Sequence, residues 1–457
     1  MQKFDIIIIG SGGGSKITRP AANMGYKVAI IDHGPLGGTC LNRGCIPSKM
    51  LIHPADVISE IREASRFDIS VSQDISVDTQ SLVTRVSQEI DSDSASIAPM
   101  YDKHENITLF TDTASFVSDK VIQVGSEQLT ADKVFIVSGA RPFVPPVLGL
   151  QGTPYWTSTE ALRATKAPES LIVVGGGYIA CELGYYYQSL GTKVTFVVRS
   201  DFISNQDDDV IDEFKNGFLP LVSAELGAQL KQVHFDESGF KVSIEQNGAL
   251  KDLHAEKLLF ATGVVPNTDA LQLKNTGIMM NAKGYINVND ELETSVKGVY
   301  AFGDVIGRHL FRHSANFEGE YLFNTLFQKS QSGPIEYKPM PWALFGNPQV
   351  AGVGLNERDC QEQGVDYFVG KNFYKNSAMG MALRSDNGFV KLIFEKGSER
   401  LIGAQIVGKE ASDMIHMLIM GMNLSVCLND LLTMIYIHPA LPEIVRNAAR
   451  KAALNRN

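Results

Sequence analysis

The chain has 457 residues, too many for one hydrophobic core, so roughly two to four domains of ordinary size are expected. Its 44% hydrophobic and 20% charged residues are those of a soluble globular protein, and a formal charge of −10 without a long basic run excludes general nucleic-acid binding. No apolar run reaches the roughly 20 residues of a membrane span, and 5 cysteines in a chain of this length suggest a reducing cytoplasm.

The N-terminus, MQKFDIIIIGSG, enters an apolar strand directly and shows no small-residue cleavage site, so it reads as mature sequence rather than a signal peptide. Ile6 to Ile9, then GSGGGS, then KVAIID predict strand, Gly-rich turn, helix and second strand, the first half of a dinucleotide-binding fold. Gly10 and Gly12 supply the tight turn and let backbone approach a pyrophosphate, and Asp32, about 20 residues on, is placed for a ribose hydroxyl. Ser15 occupies the third glycine position, and Pro20, which removes an amide within the helix, predicts a kink in its first turns.

GGTCLNRGCIPSK, Gly37 to Lys49, puts four residues between Cys40 and Cys45. In a regular helix that spacing separates the two positions by roughly 7.5 Å on different faces, beyond the roughly 4.4–6.8 Å that a disulfide tolerates. A redox pair therefore predicts Cys40 on a loop or irregular turn and a helix starting near Cys45, with Pro47 in its first turn. Helix amides and Lys49 would there favour a thiolate. Two buried thiols, or half of a zinc site, are the alternatives; Cys181, Cys360 and Cys427 stand alone, so no metal is expected.

Asp56 to Ser96 is polar and helix-like, and Ile107 to Val124 reads as mixed strands. LIVVGGGYIACELG then repeats the first pattern, placing Gly175, Gly177 and Ala180 between an apolar strand and a helix, with the strand KVTFVV following. Asp207 to Asp209 read as a solvated helix start. KLLFATGVVPN reads as a strand ending in a turn, and GVYAFGDVIG as a strand delivering Asp304 at its end. From about Pro341 come alternating strands (FVKLIF, LIGAQIVG) and a Met-rich helical stretch, Ser412 to Leu432, expected in the core or at a subunit interface.

With these pieces in order, the chain resembles the FAD-dependent pyridine nucleotide-disulfide oxidoreductases, most closely the dihydrolipoamide dehydrogenase type. The markers run essentially end to end: GSGGGS with Asp32, GGTCLNRGCIPSK, GGGYIACELG, FATGVVPN, GVYAFGDVIG and IHPALPE. The resemblance implies an α/β fold with two Rossmann-like dinucleotide-binding domains plus a C-terminal α+β dimerisation domain. The implied boundaries are 1–145 and 269–338 for the two parts of the FAD domain, 146–268 for the NAD(P) domain and 339–457 for the interface domain. FAD would have its pyrophosphate on the first glycine loop, its adenosine ribose on Asp32 and its ribityl and pyrophosphate region near Asp304. Further cofactor contacts are implied at Gly14, Gly38, Thr39, Gly139, Gly263 and Gly303.

By the same resemblance Cys45 is the charge-transfer thiol against the flavin, and Cys40, outward, exchanges with substrate. Lys49 and Glu182 are implied as an ion pair near the flavin's reactive nitrogen. Tyr178 would shield the flavin until the nicotinamide arrives. His438, in a His-Pro whose bond is often cis, would take a thiol proton, and Glu443 would orient the imidazole. In the family that histidine reaches the flavin of the partner subunit, so a homodimer is implied.

Val198 and Arg199 end the second nucleotide strand where NAD-linked members carry an acid. Arginine there can meet a 2′-phosphate, and Ala180 points the same way, so NADPH is favoured over NADH. Against this, Asn205 stands where a second phosphate arginine is expected, and Gly184 resembles the NAD-linked members. The implied substrate is a small-molecule disulfide or dithiol, with dihydrolipoamide first and another low-molecular-weight disulfide or a quinone second. A 2-oxo acid dehydrogenase complex is the larger partner that lipoamide would bring. Mercuric, large thioredoxin and glutathione reductases fit less well: there is no terminal cysteine pair, no second redox pair in KAALNRN, and Pro20 stands where glutathione reductases use a basic residue. A transhydrogenase or structural flavoprotein subunit would leave the cysteines unused, whereas Cys40, Cys45, His438 and Glu443 together favour catalysis by thiols.

Overall fold

In the computed structural model of the chain, residues 1–72 and 75–456 are described; Gln73 and Asp74, in the expected helical stretch, and Asn457, last of KAALNRN, lie outside them. The N-terminal apolar run forms β1 (Gln2–Ile9), whose Ile6 to Ile9 are buried on both faces, as a central parallel strand requires. After it come α1 (Ser11–Asn23), β2 (Val28–Ile31), α2 (Gly38–Arg43), α3 (Cys45–Arg62), α4 (Thr79–Asp102), β3 (Ile107–Phe110), β4 (Ala114–Ser118), β5 (Val121–Val124) and β6 (Glu127–Ile136). The sheet order is β3-β2-β1-β6-β5-β4, with Val299–Ala301 pairing in parallel with the end of β6. Around β1 the pairing is parallel, Ile7 facing Ala29 on one side and Val134 on the other, whereas β4, β5 and β6 form an antiparallel ribbon. These strands belong to one compact unit, Met1–Met50, Gln80–Phe143 and Gly263–Glu336.

Glycine makes the turn from β1 into α1. Gly10 has φ +109°, and a Cβ there would collide with the Val137 carbonyl oxygen. Gly14 lets α1 lie against β1, because its Cβ would meet Ile8 Cγ2 at 2.6 Å. Close helix–strand packing thus falls to Gly14, while Ser15, at the expected third glycine position, donates its hydroxyl to the Gly12 carbonyl at 2.8 Å. Pro20 lies late in α1, which continues through it to Asn23, so the kink expected in the first turns is replaced by an unbroken helix.

The second unit comprises Leu51–Thr79, Val144–Thr262 and Tyr337–Asn457. It repeats the pattern in a parallel sheet ordered Ser223–Leu226, Lys193–Val198, Ser170–Val174, Lys257–Phe260. Gly175 (φ +129°) passes the Ala261 carbonyl as Gly10 passes Val137. The helix Tyr178–Ser189 lies close on Lys193–Val198, since a Cβ at Gly184 would enter the Phe196 ring and Ala180 is fully buried.

The C-terminal part is a five-stranded antiparallel sheet, ordered Trp342–Leu344, Val350–Gly354, Leu401–Val407, Phe389–Glu395, Tyr367–Phe373. Its core takes in residues of the helices Ala411–Asn423 and Glu443–Asn455, with Met414 buried and Met417 packed against it. Among the described residues no helix is long and apolar enough to cross a membrane.

One expectation is overturned here. Asp208–Phe218 is the helix that the aspartates begin, but its capping residue Asp207 is buried rather than solvated. Lys391, on the buried strand Phe389–Glu395, donates to Asp207 Oδ2 and Asp209 Oδ1 at 2.6 Å and to Glu357 Oε1 at 3.0 Å. Lys371 bonds the other Asp209 oxygen at 2.9 Å. A buried ammonium must be paired, and the acids are drawn in by it. Burial opposes the Lys391 charge, yet the Asp209 and Asp207 carboxylates outweigh it and hold the amine above its usual value. Lys391→Met should leave those carboxylates uncompensated and destabilise the fold by about 3–5 kcal/mol, seen as a lowered urea midpoint; an unchanged midpoint would contradict the pairing.

Candidate active site

The two cysteines stand on either side of a helix break. Cys40 lies within the short helix α2 and not on the loop or irregular turn expected, while Cys45 begins α3 as expected, with Pro47 in its first turn. Between them Gly44 leaves helical geometry (φ −143°, ψ −121°), and a Cβ there would stand 2.9 Å from the Thr39 carbonyl and 3.3 Å from Cys40 Cα. This close doubling back removes the separation that one continuous helix would impose. At the head of α2, Gly37 and Gly38 are left-handed (φ +96° and +73°). A Cβ on Gly38 would stand 2.7 Å from Gly12 Cα, so α2 docks directly on the first glycine loop. Thr39, next along α2, is exposed. Buried Asn42 ties α2 down through bonds to the Leu36 and Gly38 carbonyls at 2.8 and 3.0 Å.

Both thiols are unbridged, Cys45 exposed and Cys40 half-buried. A hydrogen bond from Cys45 is the main influence that takes Cys40 down to about 7, against its burial and with help from the Arg312 and Lys49 charges. The same bond, with burial, pushes the Cys45 thiol up. The pair therefore releases its first proton from Cys40. Arg312 went unrecognised in the sequence because nothing local marks it. Its Nη1 lies 3.5 Å from where a Gly12 Cβ would stand, a position reached only through the fold.

Asp32 is held at the head of α1: the Ser11 amide and hydroxyl donate to Oδ2 at 2.7 and 2.6 Å, and the Gly34 amide to Oδ1 at 2.9 Å. Asp304 sits in the tight turn Gly303–Ile306 after Val299–Ala301. Burial and the neighbouring Glu318 carboxylate push Asp304 up to about 6, with Arg312 opposing. Gly303 (φ +76°) donates its amide to buried Glu318 at 2.6 Å. Gly139 and Gly263, both left-handed, accept from the Asn267 and Phe143 amides at 2.9 Å. The first unit thus joins a cradle without Cβ atoms at Gly12 and Gly38, open helix amides suited to a pyrophosphate, and two carboxylates suited to hydroxyls, a donor set that fits FAD.

In the second unit Gly177 caps the helix that opens with Tyr178, and a Cβ on Gly177 would meet nothing within 4 Å. Arg199 is exposed immediately after Lys193–Val198. Glu182 is buried and accepts the Phe345 amide at 3.1 Å. Lys49 stands half-buried on α3.

His438 precedes a cis proline and its side chain is 72% exposed, with Nδ1 3.1 Å from both oxygens of Glu443. Glu443, itself buried, also accepts the Ala440 amide at 3.2 Å and Arg446 Nη2 at 2.8 Å. Burial raises the carboxyl, but the His438 and Ala440 bonds and the two cations outweigh it and keep Glu443 below its usual range. Arg446 was missed, although its position one turn after Glu443 on the same helix was a readable signal. Ile435 and Ile437 beside His438 are 96% and 81% exposed, an apolar edge fit for a second subunit.

Residues 4–319 match the family described as pyridine nucleotide-disulphide oxidoreductase, and residues 340–449 match its dimerisation domain. The chain is 35% identical to a mycothione reductase of Mycobacterium tuberculosis, covering 98% of this chain and 99% of that one. It is 30% identical to dihydrolipoyl dehydrogenase 2 of Haloarcula marismortui, covering 98% and 96%. Among solved structures it is similar to the Cu(II) complex of the HOCl-induced flavoprotein disulfide reductase RclA from Escherichia coli, with a TM-score of 0.87, 25% identity and coverage of 99% and 100%.

In the reduced protein, alkylation of Cys40 by iodoacetamide should rise with pH through a midpoint of about 7, because only the thiolate reacts. Arg312→Gln should move the midpoint upward; a midpoint at the ordinary thiol value of about 8.5 would contradict the arrangement.

Proposed function

The chain belongs to the pyridine nucleotide-disulphide oxidoreductase family, whose members use FAD and NAD(P)H, and from that premise we propose that it is a homodimeric, NADPH-dependent reductase of a low-molecular-weight disulfide. The single observation that carries this function is the Cys45-to-Cys40 hydrogen bond across the break between α2 and α3, beside two cations. FAD, held by the first glycine loop with Asp32 and Asp304, supplies the two-electron exchange between nicotinamide and thiols.

The protein's own groups do the rest. The Cys40 thiolate attacks one sulfur of the substrate, and the departing thiolate takes a proton from His438, whose charge Glu443 stabilises. Cys45 then passes its proton to His438 and attacks the Cys40 sulfur, closing the Cys40–Cys45 disulfide, and the second thiolate released takes that proton from His438. The substrate disulfide is reduced to two thiols while the enzyme dithiol is oxidised, and electrons from the nucleotide restore it. Lys49 keeps a positive charge beside this exchange.

Arg199, exposed at the end of its strand with no acid in its place, supports NADPH. The expectation that ranked dihydrolipoamide first gives way to a small disulfide, because the identity to the mycothione reductase exceeds that to the dihydrolipoyl dehydrogenase, 35% against 30%. Lipoamide turnover, with a 2-oxo acid dehydrogenase complex as partner, is the second reading, favoured by the several relatives that bear that name.

Steady-state rates with lipoamide, low-molecular-weight disulfides and quinones, each with NADH and NADPH, test the assignment. NADPH with a small disulfide should give the highest kcat/KM, and a preference for NADH with lipoamide would overturn it in favour of the second reading. Cys45→Ser should abolish disulfide turnover; if the rate survives, the chain acts as a transhydrogenase or structural subunit instead. His438→Gln should lower kcat by about 10²- to 10⁴-fold.

A further inference from the structure

Tyr178 and Trp342 lie face to face, with ring centroids 5.5 Å apart and planes within 7° of parallel. The indole has a prepared seat. Trp342, on an edge strand, stands directly opposite Gly352 of Val350–Gly354, and a Cβ at Gly352 would come within 2.5 Å of indole Cζ2. Only glycine leaves that recess, so the indole is wedged between bare backbone and the phenol.

The phenol is also held by its oxygen. Gln206 Nε2 donates to Tyr178 OH at 3.3 Å, and Gln405 Nε2 donates in turn to Gln206 Oε1 at 3.2 Å. The residue after Gln206 is Asp207, gripped by Lys391. Ring and hydroxyl are therefore both fixed to the same buried sheet, by residues that the thiol chemistry does not use. Tyr178 is the first residue of the helix that follows Gly175 and Gly177, the end whose amides would receive a dinucleotide pyrophosphate.

We propose that Trp342 is a positioning residue for pyridine-nucleotide binding: by stacking on Tyr178 it holds the phenol across the head of this helix, and a nucleotide settling on the glycine loop must separate the two rings. This role rests on the nucleotide site proposed above. The stack opposes binding, so removing the indole tightens it, and removing the Gln206 bond does so to a smaller extent.

The chain has 2 tryptophans, so Trp156→Phe leaves Trp342 as the sole emitter. The flavin-loaded variant is titrated with NADP+ and NAD+, which do not absorb tryptophan emission, while equilibrium dialysis measures binding separately. A saturable change in Trp342 emission that tracks dialysis is expected. Trp342→Leu should lower the nucleotide Kd by about 3- to 10-fold, with Trp342→Phe close to the unsubstituted protein because it keeps a stacking ring. Should Trp342→Leu not fold, Gln206→Leu reads the same latch through a smaller fall in Kd. Binding by dialysis with constant Trp342 emission, or a Kd that is unchanged or raised in these variants, overturns the positioning role alone. If dialysis finds no nucleotide bound to the unsubstituted protein, the proposed function itself falls.

Discussion

At Gly10 the backbone passes the Val137 carbonyl, and at Gly175 the Ala261 carbonyl, so closely that a methyl group at either place would overlap the oxygen. Each strand-to-helix step therefore exists only with glycine, and the backbone there is also left-handed. Much of the first unit depends on that step. Because α1 starts so abruptly, the amide and hydroxyl of its first residue, Ser11, both reach Asp32. Because Gly12 is bare, Gly38 can press α2 against the loop and bring Cys40 to its edge.

Charge is handled differently in the two units. Near the thiols, Arg312 and Lys49 are set against a group that becomes negative, which stabilises the reactive form at modest pH. In the second unit Lys391 is sealed among carboxylates, whose oxygens from Asp207, Asp209 and Glu357 lie within 4.8 Å of one another. Buried pairs of this kind add little net stability over an apolar replacement of the whole group, but they punish any half-replacement. Their effect here is to tie the segment ending in Asp207 to one place on the C-terminal sheet.

The two nucleotide units, the strands that enter their glycine turns and the thiol segment were legible because each depends on local chemistry: apolar runs, glycines at turns, cysteines near a helix start. The helix holding Cys40 was not, since the spacing was judged for one continuous helix and Gly44 divides it. Asp207 was misjudged because three adjacent acids look like an exposed helix start, while the lysine that pairs with it stands 184 positions away. Trp342, Gln206 and Arg312 acquire their importance only through contacts between distant segments. His438 and Glu443 were readable from IHPALPE, and Arg446 could have been added from helical spacing alone.

The carboxylate beneath His438 also settles how that ring is protonated. The Glu443 carboxyl is held below its usual range, and once ionised it can only accept, so the hydrogen between them belongs to Nδ1. In the neutral imidazole the lone pair is consequently on Nε2, and a water or sulfhydryl approaching the exposed side meets a base there with no tautomer change required. Arg446 donates to one of the same oxygens and so holds the carboxylate in place beneath the ring.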